Sequence, residues 1–299
     1  MSKNILFSVS MCVYGGDNPV WFEEAVNSVL TQTIMPAEIV LVVDGPLPTE
    51  MDQIVSRYEK DPLFVVVRLA ENQGHGKARQ CGLQHCQYDW IALMDADDIC
   101  VPDRFEQQMK HISTNEVDIV GGDIAEFIGS PENIVSYRTV LEKDEDIKQD
   151  MKRRCPFNQV TVMFRKKIVE DVGGYLDWHC EEDYYLWLRM MLFGCQMANT
   201  GTVLVHVRVG EEMYQRRGGL KYFKSEAKLQ KYMLDHKIIG FFTYLVIMIM
   251  TLLIDLFRPF TFNVVIDMFG FRSALLLFVF FCSLCFFPLH FPFPVFGFL

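Results

Sequence analysis

The sequence of 299 residues lacks several features that would assign a protein to a well-marked class. Basic residues are not in excess, since the formal net charge is −10, and no basic stripe is interleaved with aromatics. A nucleic-acid partner is therefore not expected. The nine cysteines are scattered, and the close pair Cys282 and Cys285 has neither histidine nor acidic neighbours. We therefore expect reduced thiols in a cytosolic protein rather than disulfides or a structural zinc.

Other absences concern targeting and organisation. The N-terminal segment MSKNILFSVSM lacks the apolar core of about 7 to 15 residues that marks a secretion signal, so we expect a protein that is not exported. No internal repeat and no low-complexity linker is present. The length exceeds that of a typical single domain, which favours one large domain with an appendage.

The first hundred residues alternate between strand-like and helix-like patterns. Apolar runs of strand length occupy residues 5–13, 38–43, 64–69 and 90–94. Helical patterns occupy residues 21–30, 50–60 and 77–86. This alternation predicts a mostly parallel sheet with helices on both faces. Ligands of such sheets bind beyond the carboxyl ends of the strands, so the four loops that follow these strands are predicted to share one rim.

The next hundred residues show a mixed pattern. Strands are predicted at 118–127 and 159–165, a charged stretch lies at 142–154, and a helix is predicted at 182–193. We expect antiparallel additions to the sheet here. A lone histidine, His206, lies in the apolar run VLVHVRV and is interpreted as an ordinary strand residue rather than a metal ligand.

The C-terminal part differs in composition. Residues 211–237 are basic and helix-prone, residues 238–254 carry no charge, and residues 273–299 carry none apart from a neutral histidine. A run of about 20 residues from 238 onward is long enough to cross a bilayer, whereas prolines break the second run. The basic flank predicts the cytoplasmic face of the inner membrane. The alternative for the first run is a core helix packed on the main domain.

Three carboxylates follow the strand predicted at 90–94, and they belong to Asp95, Asp97 and Asp98. Acids this close repel one another, and a cation usually offsets such repulsion. Mg²⁺ and Mn²⁺ take oxygen ligands and commonly complete their shells with substrate phosphates. The Asp-x-Asp pattern at a strand end therefore predicts a diphosphate anchor. The alternative is an acidic turn that caps the helix after Pro102.

A second group of acids opens the helix predicted at 182–193. Acids at a helix start interact favourably with the helix dipole, which is one explanation for Glu182 and Asp183. The other explanation is that one carboxylate faces the rim as a general base and takes the proton of an attacking hydroxyl. We assign this role to Asp183, with Glu182 as the second choice.

Four blocks in a fixed order resemble family 2 glycosyltransferases with the GT-A fold, of the bacterial kind that builds capsule, exopolysaccharide or lipopolysaccharide. The blocks are SVSMCVYGG, then SVLTQTIMPAEIVLVVDGP, then ENQGHGKARQCGL followed by WIALMDADD, and finally VGGYLDWHCEEDYYLWLR. The resemblance covers roughly residues 5–210. It implies a Rossmann-like mixed sheet, mostly parallel and flanked by helices, and a nucleoside-diphosphate sugar, expected to be a UDP-sugar, as the donor.

The resemblance also implies roles on the donor side. Tyr14 is expected to stack near the donor base and Asp44 to recognise it. Most relatives carry two adjacent acids where this chain has Val43-Asp44, so recognition would rest on one carboxylate. The other residues expected to line the donor pocket are Asn72, Gly74 and Arg79. Among these, the arginine is expected to neutralise phosphate charge.

On the metal and acceptor side, Asp95 is similar to the acid that contacts the ribose and the metal, and Asp97 to the principal metal ligand. The implied cofactor is Mg²⁺ or Mn²⁺. Gly173 and Gly174 resemble the loop that shapes the acceptor side, and Asp183 matches the catalytic base. The implied reaction is a direct displacement with inversion onto a hydroxyl of a glycan or lipid-linked oligosaccharide.

These patterns predict a catalytic domain at 1–210, a basic helical connector at 211–237 and a hydrophobic, membrane-associated helical tail at 238–299. A processive synthase is a poor fit, because Gln215-Arg216-Arg217-Gly218 does not match a Gln-x-x-Arg-Trp motif. A pyrophosphorylase is also a poor fit, because it would need a glycine-rich GxGTR-like loop after the first strand, and this sequence has none there. The remaining alternative is a membrane-anchored scaffolding protein that keeps a sugar-nucleotide pocket without catalysis.

Overall fold

The computed structural model describes residues 5–176, 178–210, 220–249 and 251 of the chain. The chain divides into two compact units, Met1–Gly210 and Glu211–Leu299. All the strands described lie in the first unit, where they form one nine-stranded sheet.

The first half of this sheet follows the predicted alternation of strands and helices. The elements are β1 (Phe7–Tyr14), α1 (Pro19–Leu30), β2 (Glu38–Asp44), α2 (Thr49–Tyr58), β3 (Phe64–Arg68), α3 (His75–His85) and β4 (Trp90–Met94). The strands are parallel and lie in the order β3, β2, β1, β4. Their near-continuous apolar sequences suit strands that helices cover on both faces.

The hydrophobic core fills one face of this half-sheet. Side chains of α1 and α2, such as Phe22 and Val55, belong to the same buried cluster as Val9, Met11 and Leu41 of the strands. Each fully buried side chain of this size stabilises the fold by roughly 1.5 to 3 kcal/mol. Helix α3 contacts β1 and β2 from the other face. The carboxyl ends of the strands are therefore held rigidly between two helical layers.

The second half of the sheet is mixed, as predicted. Its elements are β5 (Ile99–Cys100), α4 (Arg104–Thr114), β6 (Ile119–Phe127), β7 (Ile134–Arg138), α5 (Asp144–Asp150), β8 (Met163–Arg165), α6 (Lys166–Asp171), α7 (Glu182–Phe193) and β9 (Met197–Arg208). The order continues from β4 through β8, β6 and β9 to β5, and β7 pairs with β6. Strand β8 runs antiparallel to both of its neighbours, whereas β6 and β9 run parallel to each other.

One predicted strand is shorter than expected. Of residues 159–165, only Met163–Arg165 pairs in the sheet, and Gln159–Thr161 forms a turn of 3-10 helix. The hydroxyl of Thr161 donates to the carbonyl oxygen of Asn158 at 2.7 Å and accepts the N–H of Gly122 at 3.0 Å. Such local side-chain bonds compete with the hydrogen-bond ladder of a strand, which explains the shortening.

Aromatic packing fixes helix α7. Trp187 is completely buried, and its ring centre lies 5.7 Å from that of Phe157 and 6.2 Å from that of Phe164 in β8. Gly194 ends the helix in a left-handed conformation, with φ of 91°. Because the middle of α7 is anchored in the core, its first turn is held in a defined place.

The second unit contains α8 (Leu220–Asp235), and residues 241–249 are also helical. Leu229 and Met233 of α8 are buried, whereas Phe241 and Phe242 are exposed. Within the described ranges, no helix is both long enough and apolar enough to cross a bilayer. Residues 211–219 of the predicted connector, the end of the predicted span and the whole run at 273–299 lie outside the described residues.

Candidate active site

The carboxyl ends of the parallel strands meet along one rim, as predicted. Tyr14 and Asp44 end β1 and β2 as neighbours, because the two strands pair in register up to these residues. Asp95 directly follows β4, which pairs with β1 on its other side. The loop after β3 reaches the same rim, since the side chain of Asn72 donates to the carbonyl oxygen of Asp44 at 3.2 Å.

Asp44 is buried and organises the loop after β3. One carboxylate oxygen accepts the N–H of Gln73 at 2.7 Å, and the other accepts the N–H of Gly74 at 3.0 Å. Gly45 permits this close approach, because a Cβ atom there would lie 2.6 Å from the backbone nitrogen of Asn72. The carboxylate oxygens keep lone pairs for a further donor, so Asp44 remains able to accept a hydrogen bond from a ligand.

Arg79 is fully buried and orients Asp95. Its guanidinium forms an ion pair with Asp95 and donates to the carbonyl oxygens of Ser10 and Met94, at 3.1 and 3.2 Å. The Asp95 side chain keeps 31% of its surface exposed, so its carboxylate is held and still accessible. The charge that Arg79 neutralises here is that of Asp95, and its direct contact with a phosphate stays a prediction.

Four carboxylates gather around this strand end. Burial, with the charges of Asp97 and Asp95, raises the pKa of Asp17 to about 6, although the N–H of Tyr14 opposes the shift from 2.9 Å. Burial also raises the pKa of Asp98 well above its usual range, and Asp97 and Asp95 again contribute. The acids of this rim therefore lie close enough to disfavour one another's ionisation.

This region fits a hard divalent cation in one particular mode. Its donor atoms are carboxylate oxygens, which Mg²⁺ and Mn²⁺ prefer. Among the residues that the structure describes, no three histidine, cysteine or acidic side chains converge to hold an ion by themselves. Mg²⁺ commonly binds through one or two carboxylates together with substrate phosphates, and the accessible Asp95 suits that mode. Metal binding by Asp95 and Asp97 stays a prediction.

Arg208, at the end of β9, forms hydrogen bonds with the loop that carries Asp97 and Asp98. Its backbone N–H donates to the Asp98 carboxylate at 2.9 Å, and its Nε donates to the Asp97 carbonyl oxygen at 3.1 Å. The guanidinium lies 4.7 Å from the ring centre of Trp21 and 4.6 Å from that of Phe127. These contacts fix the backbone of Asp97 relative to β9.

Helix α7 brings two further carboxylates to the rim. Burial alone would raise the pKa of Glu182, but the hydrogen bond with His75, 2.8 Å away, lowers it overall. Burial raises the pKa of Asp183 to about 6, and the charge of Glu182 adds to the increase. Asp183 therefore titrates close to neutral pH, which is the property required of a general base.

The two oxygens of Asp183 have different neighbours. Oδ1 accepts the N–H of Tyr184 at 2.7 Å, and Oδ2 lies 4.0 Å from the Sγ atom of Cys155. Burial raises the pKa of the Cys155 thiol, so the sulfur carries no charge at neutral pH. One oxygen is thus anchored to the helix start, and the other lies beside an uncharged thiol that donates only weakly.

The turn at Gly173 and Gly174 connects α6 to the segment before α7. Both residues have positive φ angles, of 91° and 67°. A Cβ atom at Gly174 would overlap the Gln80 side-chain oxygen, which accepts the N–H of Tyr175 at 2.7 Å. Arg189 of α7 donates to the Gly174 carbonyl oxygen at 2.7 Å. The turn is thus fixed between α3 and α7, and its role toward an acceptor stays a prediction.

Sequence reasoning did not select three residues of this rim, Asp17, His75 and Arg208. Asp17 carried a usable signal, because it is an acid placed soon after a strand end. His75 and Arg208 carried none, since the partners that tie them to the site, Glu182 and Asp97, lie 107 and 111 residues away in sequence. His206 lies in β9 opposite Ile99 of β5, as a strand residue.

Comparison with known proteins gives the family. The sequence model described as Glycosyl transferase family 2 matches residues 8–173, which is more than half of the chain and includes the four parallel strands and the Asp95–Asp97 loop. The chain belongs to glycosyl transferase family 2. The family prediction is confirmed, and with it the prediction of a glycosyltransferase.

Similar proteins come from several bacteria. The amylovoran biosynthesis glycosyltransferase AmsE of Erwinia amylovora is 37% identical over 79% of this chain and 88% of its own length. The UDP-Gal:alpha-D-GlcNAc-diphosphoundecaprenol beta-1,3-galactosyltransferase of Escherichia coli is 34% identical over 75% of this chain and 82% of its own. A glycosyltransferase of Haemophilus influenzae is 43% identical over 75% of this chain and 84% of its own.

A solved structure with a similar fold is that of Staphylococcus aureus TarS 1-349 in complex with UDP-GlcNAc. The TM-score is 0.60 at 18% identity, and the match covers 77% of this chain and 67% of that one. The match to a longer TarS chain covers 43% of that chain. At this identity the likeness concerns the fold alone, and it confirms the predicted mixed α/β architecture.

Proposed function

We propose that this family 2 enzyme transfers a sugar from a UDP-sugar to a hydroxyl of a glycan or lipid-linked oligosaccharide, with inversion, in surface polysaccharide biosynthesis. The observation that carries the proposal is a continuous line of contacts from Asp95 through Arg79 and His75 to Glu182. This line joins the strand-end acids to the start of α7. A donor diphosphate and an attacking hydroxyl can therefore meet at one rim.

Asp183 is the general base of this proposal. With a pKa of about 6 it is mostly ionised at pH 7 and still basic enough to take a proton. The acceptor oxygen forms its bond to the anomeric carbon while Asp183 takes the hydroxyl proton. The bond from that carbon to the diphosphate oxygen breaks, and its electron pair leaves with the nucleoside diphosphate. Attack opposite the departing group inverts the configuration, and no protein nucleophile is required.

The donor diphosphate is proposed to share Mg²⁺ or Mn²⁺ with Asp95 and Asp97. When bound, such an ion stabilises the negative charge of the departing diphosphate. The residues of the chain hold this arrangement in place, because Arg79 orients Asp95 and Arg208 fixes the Asp97 backbone. The other donor and acceptor contacts keep their predicted assignments, namely Tyr14, Asp44, Asn72 and Gly74 for the donor, and Gly173 and Gly174 for the acceptor.

The substrates are proposed from the relatives. The Escherichia coli relative is named for UDP-Gal and a GlcNAc-diphosphoundecaprenol acceptor, and the Erwinia relative for amylovoran biosynthesis. The UDP-GlcNAc complex has a similar fold. We therefore take a UDP-sugar as donor and a polyprenol-linked saccharide as acceptor.

Association with the cytoplasmic face of the membrane is part of the same proposal. Helical residues 241–249 expose apolar side chains, including Phe241, Phe242 and Leu245. Helix α8 carries several lysines nearby in sequence, and anionic lipid attracts such residues. Co-sedimentation with vesicles containing anionic lipid should be strong for the wild type and reduced for Phe242→Asp. Equal sedimentation of both proteins would remove this part of the proposal.

The donor assignment is tested with purified full-length protein. UDP-galactose and UDP-N-acetylglucosamine are supplied with Mn²⁺ and a synthetic GlcNAc-diphosphate-lipid, and GDP-mannose serves as the control donor. We expect one UDP-sugar to be consumed with formation of a β-linked product, and UDP with Mn²⁺ to raise the melting temperature. Consumption of GDP-mannose alone, or a product that retains the donor configuration, would overturn the assignment.

A further inference from the structure

We infer that His75 is a positioning residue. Through one neutral imidazole tautomer it holds the start of α7, which carries Asp183, next to Arg79 on the donor side of the site. This inference rests on the proposed function, because it concerns the placement of Asp183. His75 is the first residue of α3, and its two ring nitrogens contact residues of different elements. Nδ1 lies 2.8 Å from Oε1 of Glu182, and Nε2 lies 3.2 Å from Nε of Arg79.

The partners determine where the imidazole proton lies. The Nε–H of Arg79 can only donate, so Nε2 of His75 must be the acceptor of that hydrogen bond. The carboxylate of Glu182 can only accept, so Nδ1 of His75 carries the proton of the 2.8 Å hydrogen bond. These two hydrogen bonds therefore require a neutral ring protonated on Nδ1. Arg79 donates to His75, and His75 donates to Glu182.

Packing does not account for this residue. The His75 side chain is 46% exposed, whereas that of Glu182 is 11% exposed and that of Arg79 only 1%. An exposed ring contributes little apolar burial to stability. Its two hydrogen bonds instead connect a guanidinium fixed by two strand carbonyl oxygens with the first turn of α7.

The position of Glu182 controls that of the base. Asp183 is the next residue in the same helical turn, and its Oδ1 is bound to the N–H of Tyr184. A movement of the Glu182 end therefore moves the Asp183 carboxylate. Displacing a catalytic group by about 1 Å can lower a rate by a factor on the order of 100. Loss of His75 should thus reduce turnover more than it reduces donor binding.

The tautomer can be tested without any substrate. Long-range proton–nitrogen NMR of the histidine rings distinguishes the two neutral tautomers and the imidazolium. The chain has seven histidines, and the signal that disappears in His75→Asn identifies His75. At pH 7.5 we expect a neutral ring with the proton on Nδ1. A proton on Nε2, or a doubly protonated ring, would overturn the inference.

The positioning role is tested by kinetics with UDP-galactose and UDP-N-acetylglucosamine as donors. We expect His75→Ala to lower kcat about 10- to 100-fold with donor KM within about twofold of the wild type. His75→Asn, whose amide can still donate to Glu182, should recover most of the loss. The matched control is His85→Ala, which changes an exposed histidine at the other end of the same helix.

A double mutant separates this role from general destabilisation. If His75 acts through Glu182, then His75→Ala should have little further effect on kcat in a Glu182→Gln background. Additive losses, or equal losses of kcat and melting temperature in the Asn and Ala variants, would contradict the inference. Failure of the proposed function gives a different result, because Asp183→Asn would then keep its activity whatever the His75 variants do.

Discussion

Asp95 and Asp183 are both carboxylates at the same rim, but the groups around them differ. Asp95 forms an ion pair with a fully buried guanidinium that is itself fixed by two strand carbonyl oxygens. Asp183 lies beside the ionised Glu182 and an uncharged thiol, and burial raises its pKa to about 6. In the proposed reaction Asp95 holds a cation and phosphates, whereas Asp183, whose pKa is raised, takes a proton. The proposal thus assigns the same type of side chain to opposite sides of one reaction, because its neighbours differ.

The largest expected effect comes from Asp183→Asn. Removal of a general base costs about 10²- to 10⁴-fold, so we expect kcat to fall by a factor on the order of 10³. Stability should change in the opposite direction. Because the pKa is raised in the fold, ionisation of Asp183 costs stability; this cost develops between about pH 4 and pH 6 and is fully present above, and Asn removes it. Two pKa units set an upper limit of about 3 kcal/mol on the gain at pH 7.5.

The measurements for this variant are steady-state turnover and thermal unfolding. The control is Glu50→Gln, which removes an exposed acid from the first turn of α2, where the interaction with the helix dipole is similar. Glu50→Gln should leave turnover unchanged. If Asp183→Asn lost stability and kept its activity, Asp183 would be a helix-capping residue and the contrast with Asp95 would fail.

A second large effect is expected from Asp97→Ala. A divalent ion stabilises transition-state charge by several kcal/mol, so we expect a loss on the order of 10² to 10³ in kcat/KM. The variant should also lose the rise in melting temperature that UDP with Mn²⁺ gives to the wild type. Asp103→Ala, at an exposed acid that precedes α4 without capping it, is the matched control. Unchanged Mn²⁺ dependence in Asp97→Ala would move the metal site elsewhere.

The pH dependence of turnover should report Asp183. Because the ionised form is the base and its pKa is raised, activity is lost as the pH falls through about 6, roughly tenfold for each further unit. The titratable and charged groups that interact with Asp183 are Glu182, His75 and Arg138. Burial is the larger cause of the raised pKa and the charge of Glu182 the second, so Glu182→Gln should move the midpoint part of the way to lower pH. An unchanged midpoint would mean that another group controls the profile.

The smallest effect is expected from Arg208→Lys. Lysine keeps the charge, but it cannot make both the contact with the Asp97 carbonyl oxygen and the packing between Trp21 and Phe127. We expect a loss of about 1 to 3 kcal/mol of stability and a several-fold increase in the Mn²⁺ concentration needed for half-maximal rate. Chemical denaturation and a metal titration measure the two quantities. A wild-type metal titration would show that Asp97 does not depend on Arg208.

Much of the fold could be predicted because its signals are local. Apolar runs and helical spacing predict the alternation from β1 to β4, because each buried strand has an apolar sequence of its own. The 3-10 turn at Gln159–Thr161 was not predictable, because it depends on a hydroxyl that bonds to Gly122 from about 40 residues away. The parallel pairing of β6 with β9 likewise depends on packing across the whole unit.

The site divides in the same way. The acids at Asp95, Asp97 and Asp183 could be selected from sequence because they follow a strand or open a helix. The contacts that distinguish the roles of these acids could not be predicted from sequence. Their roles depend on the ion pair of Arg79, the hydrogen bond from His75 to Glu182 and the hydrogen bond from Arg208 to Asp97. Periodicity and local spacing do not predict such contacts between distant residues.

The central claim is that the proposed metal-bound diphosphate and the start of α7, which carries Asp183, share one rim. Paramagnetic NMR with Mn²⁺ tests this claim most directly. In isotope-labelled protein, Mn²⁺ added with UDP should broaden the amide signals of residues 95–98 and also those of residues 182–184. Asp97→Ala should abolish both effects. Broadening confined to a surface that excludes the start of α7, at saturating UDP, would contradict the account.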